Sequence, residues 1–96
     1  MTLREYQEQA QQTRRAKTLE NRVIYPVLGL NGEAGEVAES VKKSMRKDLP
    51  WDVEDLKLEL GDVLWYVAAT ADDLGLTLEE IARANIIKLA ERDKNK

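Results

Sequence analysis

The chain has 96 residues, a formal charge of −3, 34% charged side chains and neither cysteine nor histidine. Disulfides, thiolate metal sites and imidazole chemistry are thereby excluded, and the small acidic excess gives no general attraction to nucleic acid polymers or membranes. With no apolar run near the ~20 residues of a membrane span and no signal-peptide pattern, one cytoplasmic domain is expected, small enough that oligomerisation would help complete its core.

The helix signals read clearly in chain order. Thr2-Leu3-Arg4-Glu5 is a capping box that predicts a first helix reaching about Lys17 or Glu20. Tyr25-Pro26 predicts a second helix entrance, with proline in the first turn, and that helix runs to about Arg46. Leu49-Pro50-Trp51-Asp52 breaks the chain; Asp52 caps a third helix that ends near Gly75. Thr77-Leu78-Glu79-Glu80 is a second capping box, opening a fourth helix to about Arg92 before a frayed tail. No strand-period alternation appears. The expected fold is an all-α, antiparallel four-helix bundle spanning residues 1–96 as a single domain.

Leu30–Val41 and Leu56–Val67 repeat one pattern: Glu33 matches Glu59, Gly35 matches Gly61, and Glu36 matches Asp62. With Leu30 as the zero direction at about 100° per residue, Ala34, Val37 and Val41 lie within about 40° of it as a core stripe. Glu33 then lies about 60° and Glu36 about 120° to one side, while Glu39 falls on the far side. From Leu56, the residues Leu60, Val63, Val67 and Leu74 form the matching stripe, with Glu59 and Asp62 at the same two rim angles. Two such helices packed antiparallel set Glu33 and Glu36 against Glu59 and Asp62. Carboxylates held together repel unless protonated or bound to a cation. An all-oxygen donor set favours Mg²⁺, with Mn²⁺ as the variant. Taken singly, acids at this spacing are ordinary solvated surface; the matched pairs are what point to metal. Gly35 and Gly61 lie off the stripe, so close approach of a helix or subunit, or relaxation of the backbone beside the site, is the expected reason for them.

On the fourth helix, Leu78, Ala82, Asn85 and Leu89 share one direction, with Lys88 and Arg92 on its edge. A buried Asn85 would need hydrogen-bond partners. The two cations suit a helix C-terminus, Arg92 above all; the functional reading is a clamp for phosphate oxygens, with Asn85 orienting a carboxylate or ligand.

Glu33-Ala-Gly-Glu36 followed by Glu59-Leu-Gly-Asp62 resembles the E-x-x-E…E-x-x-D signature of the MazG-like nucleoside triphosphate pyrophosphohydrolases. The likeness extends through Leu28–Glu39, Glu59–Tyr66 and Asn85–Arg92. It implies a homodimeric or homotetrameric all-α enzyme that converts a nucleoside triphosphate to monophosphate and pyrophosphate with Mg²⁺. By the same resemblance Glu33, Glu36, Glu59 and Asp62 are metal ligands, Lys88 contacts phosphates with Asn85 and Arg92 nearby, and Tyr66 lines the nucleoside pocket. Trp65 is expected at a packing or subunit contact. Relatives often continue past the last arginine, so a substrate-closing tail is expected to be missing or to come from a neighbouring subunit. Three rival readings stand beside this one. Di-iron bundles need Glu-x-x-His pairs, which a histidine-free chain lacks. Phosphoribosyl-ATP pyrophosphohydrolases share the fold but fit the motif text less well. A non-enzymatic oligomer could use the acids for a structural ion.

Overall fold

The computed structural model describes residues 1–15, 18 and 22–94. It contains four helices: α1 (Leu3–Gln12), α2 (Ile24–Arg46), α3 (Val53–Asp73) and α4 (Leu78–Lys94). No strand occurs among the described residues, so the chain is all-α. Among the described residues no helix is long and apolar enough to cross a membrane.

The caps form as the sequence requires. Thr2 and Glu5 close the first capping box, Asp52 Oδ1 accepts from the Asp55 amide at 3.0 Å, and Thr77 and Glu80 close the second box. Two helices end in the same way. At the end of α3, Gly75 sits at φ +73° while the Leu76 amide returns to the Ala71 carbonyl at 2.8 Å. At the end of α2, Asp48 takes φ 52° and the Leu49 amide returns to Ser44 at 3.0 Å. Both are left-handed caps that satisfy carbonyls the helix leaves over.

One boundary differs from expectation. α1 ends at Gln12, well before Lys17 or Glu20, which lie outside the described residues. Its end is set by tertiary bonds: the Thr13 hydroxyl donates to the Ala10 carbonyl at 2.7 Å and accepts the Trp65 indole N–H at 2.9 Å. The next residue, Arg14, leaves the helix for a two-pronged ion pair with Asp73, each prong 2.8 Å. Both side chains are buried, and Asp73 also accepts the Val23 amide at 2.8 Å. Three helices are therefore tied at one point, the end of α1, the end of α3 and the entrance of α2.

The core is small. Ala68, Ala71 and Leu78 are buried together, with Tyr6 and Val67 packed against them, where α1 crosses α3 and α4 begins. Buried Gln7 donates to the Leu76 carbonyl and accepts from the Leu78 amide, both at 3.0 Å, so α1 fixes the turn that launches α4. α2 packs along α3 and makes no contact with α4. The radius of gyration is 15.9 Å, against about 12.5 Å for a compact chain of this length.

The expected core stripes are turned. Leu60 and Leu74 are each 56% exposed, and Ala34 is exposed as well. The buried and half-buried positions of α2 are Pro26, Gly29, Leu30, Glu33, Val37, Ser40, Val41 and Ser44. Their mean direction lies about 40° from Leu30 towards Glu33. On α3, Asp55, Leu56, Glu59, Val63 and Tyr66 shift the same way. Small residues explain the rotation, since Gly29, Ser40 and Ser44 let the two helices approach on that side. The Tyr66 ring lies where a side chain at Gly29 would be, and the Ser40 hydroxyl donates to Asp55 at 2.6 Å.

Candidate metal centre

Because the packed faces are turned, one acid from each helix sits within the helix interface instead of on its rim. Glu33 and Glu59 are half-buried and Asp62 is exposed; one carboxylate oxygen from each lies within 4.8 Å of the other two. Glu36 stands outside this trio and lines an adjoining cleft of about 190 Å³ with Glu59, Ser40, Lys43 and Asp55. The repeat thus brings both half-sites together, three acids in a cluster and the fourth at its edge.

The electrostatics reflect that crowding. The Glu59 carboxyl is held above its ordinary value by burial first, then by the negative charges of Asp55, Asp62, Glu36 and Glu33. Glu39 behaves oppositely. Arg46 donates to it at 2.8 Å and holds its carboxyl below the ordinary value, so its charge is already matched although it borders the same cleft. Glu33 is separated from Glu39 as its helical angle implies, whereas Glu36 and Glu39 line one cleft.

Asp55 joins the group unannounced. It lies one helical turn before Glu59, and the acidic run Asp55, Glu59, Asp62 at i, i+4, i+7 was its signal in the sequence. Tyr6 was missed too: its hydroxyl is held above its ordinary pKa by burial and then by Asp62, which places α1 beside the cluster. Tyr66 stands on the other side. Burial, then Tyr25, Glu33 and Asp62, raise its pKa. Its ring meets Trp65 edge-on at 5.0 Å, and the two aromatics line a cavity of about 210 Å³ with Tyr25, Pro26, Thr13 and Arg14. Trp65 is therefore a packing contact within the chain, through its bond to Thr13.

Two expectations are altered by the geometry. A β-carbon built at Gly35 or Gly61 meets nothing within 4 Å, so no helix of this chain approaches either; Gly29, against Tyr66, is the glycine in close contact. Asn85 is exposed rather than on a buried stripe, as are Ala82, Lys88 and Arg92, because α4 touches only α1 and α3 and leaves that face uncovered. Lys88, Asn85 and Arg92 are not brought to the acids within one chain.

The donor set suits a hard divalent cation, since it offers several carboxylate oxygens and no nitrogen or sulfur. The sequence of Gene 37 protein from Mycobacterium phage L5 is 46% identical over 72 residues, covering 71% of this chain and 63% of that protein. The chain thus spans less than two thirds of the length of this relative. No solved structure matches. Residues 26–96, which contain both acidic half-sites, match the MazG nucleotide pyrophosphohydrolase domain, and the chain belongs to that family.

Proposed function

We propose that this protein hydrolyses a nucleoside or deoxynucleoside triphosphate to the monophosphate and pyrophosphate, with Mg²⁺ held by Glu33, Glu59 and Asp62 and supported by Glu36. The observation that carries the reading is the convergence of Glu33 from α2 with Glu59 and Asp62 from α3, in a chain whose family is nucleotide pyrophosphohydrolases. A triphosphate carries about four negative charges near neutral pH, so bare carboxylates would repel it. When bound, the cation supplies charge neutralisation and acidifies the attacking water. The water oxygen adds to the α-phosphorus and the bond to the bridging oxygen breaks. Pyrophosphate leaves with that electron pair. The water proton passes to one of the site's carboxylates, since the chain has no histidine to take it.

The aromatic cavity beside Tyr66 is suited to the nucleoside, since a base can lie against the faces of Tyr66, Trp65 and Tyr25. A second copy of the chain fits the exposed faces, where Leu60 and Ile86 are 56% and 65% exposed and α4 has no neighbour on α2. In a homodimer or homotetramer, Lys88, Asn85 and Arg92 could then serve a neighbouring site. The test is release of pyrophosphate from a panel of dNTPs and NTPs with and without Mg²⁺. Turnover of at least one triphosphate is expected, abolished by chelation. A panel without turnover would leave the acids as the holder of a structural ion and sink the enzyme reading.

A further inference from the structure

Three features lie in order along the groove between α2 and α3. At one end is the aromatic cavity of Tyr25, Pro26, Trp65 and Tyr66; next come the acids; at the far end, by the α2–α3 turn, is a cavity of about 420 Å³. Lys43 and Lys47 line this last cavity with Ser40, Ser44, Asp52 and Asp55. Lys43, Ser40 and Asp55 also border the cleft that holds Glu36 and Glu59, so the cavity at the turn, with its two lysines and two aspartates, adjoins the acidic one.

Helical geometry agrees. Lys43 lies about 20° from Glu36 around α2 and two turns further on, about 10 Å along the axis. Lys43 makes no ion pair among the described residues, although its charge adds to those of Arg46 and Lys42 in holding the Glu39 carboxyl down; Lys42 lies 3.9 Å from Glu39, which Arg46 engages at 2.8 Å. Each acid lining this cavity accepts a hydrogen bond, Asp52 from the Asp55 amide and Asp55 from Ser40. The α3 N-terminus at the same place adds a partial positive charge.

Resting on the hydrolase reading, we propose that Lys43, backed by Lys47, holds the pyrophosphate half of the substrate in the cavity at the α2–α3 turn. The substrate then lies along the groove with its base at Tyr66, its scissile phosphate at the acids and its leaving group at the turn. This role differs from that of Lys88, because Lys43 is supplied by the same chain and the same helix as Glu33 and Glu36.

Calorimetric titration with magnesium pyrophosphate tests this without turnover. Lys43→Met is expected to weaken binding by about tenfold or more, while Lys42→Met stays within about twofold and Lys43→Arg recovers most of the loss. In kinetics the same Lys43→Met change should raise KM for the triphosphate and relieve inhibition by pyrophosphate. Undiminished pyrophosphate binding by Lys43→Met, or no binding by the wild-type protein, overturns the proposal. A wild-type protein that binds pyrophosphate through Lys43 yet cleaves no triphosphate supports the subsite and refutes only the hydrolase reading.

Discussion

Glu59 is the residue on which most of the site's physics converges. Burial and four neighbouring carboxylates raise its pKa, so in the cation-free protein its charge is a cost. For an acid whose folded pKa lies above the unfolded value, that cost is fully present above the folded pKa and is relieved as pH falls through it. Glu59→Gln is therefore expected to melt above wild type at neutral pH in chelator, and to gain less from Mg²⁺; differential scanning calorimetry reads both. Loss of charge has the opposite effect on turnover. Asp62→Asn and Glu36→Gln are expected to lower pyrophosphate release by at least about a hundredfold with helicity retained by circular dichroism, because ion ligation needs the charge. Glu39→Gln should remain close to wild type, since Arg46 already occupies that carboxylate. Gly29→Ala tests the aromatic end, where a methyl group would meet the Tyr66 ring. Its cost should be about 1–3 kcal/mol in denaturant melts, the range of an overpacked contact.

At the scale of elements, the caps were legible because they depend on residues three apart in sequence. Thr2 and Glu5, Thr77 and Glu80, and Asp52 with Asp55 need no distant partner. The α2 terminus shows where such a cap is imperfect. Asp48 occupies the left-handed position that glycine fills at Gly75. Asp48→Gly should stabilise the chain by about 1 kcal/mol, visible as a higher urea midpoint with an unchanged slope. The early end of α1 was not legible, because Thr13 and Arg14 act through Trp65 and Asp73, far away in sequence. Gln7 was hidden for the same reason: nothing near it shows that its amide will hold the Leu76–Leu78 turn.

At the scale of the molecule, the Arg14–Asp73 pair joins three helices in a chain with a small core. The Arg14 guanidinium and the Val23 amide hold the Asp73 carboxyl down at about 2, against an ordinary 3.8. A depressed acid contributes stability that is present above the unfolded pKa and is lost as pH falls through the folded one. Here that window runs from about 3.8 down to about 2, and it opposes the Glu59 effect, which favours the protonated fold. Asp73→Asn should cost about 3 kcal/mol at neutral pH, because it leaves Arg14 buried without its counter-charge. The cost should shrink towards pH 2, which acid titration of wild type and variant would show.

The sequence by itself determined the four helices, the caps at Thr2, Asp52 and Thr77 and the facing of Glu33 against Glu59 and Asp62. Those features depend on local hydrogen bonds and on a periodicity set by the backbone. Tertiary structure decided how the paired helices are rotated. That rotation placed Glu33 and Glu59 in the interface, exposed Leu60 and brought in Asp55, while the docking of α1 and α4 on α3 brought in Tyr6 and left Lys88 and Asn85 away from the acids. Rotation depends on which small residues face each other across two helices, and Gly29 against Tyr66 and Ser40 against Asp55 are matched only once the chain has folded.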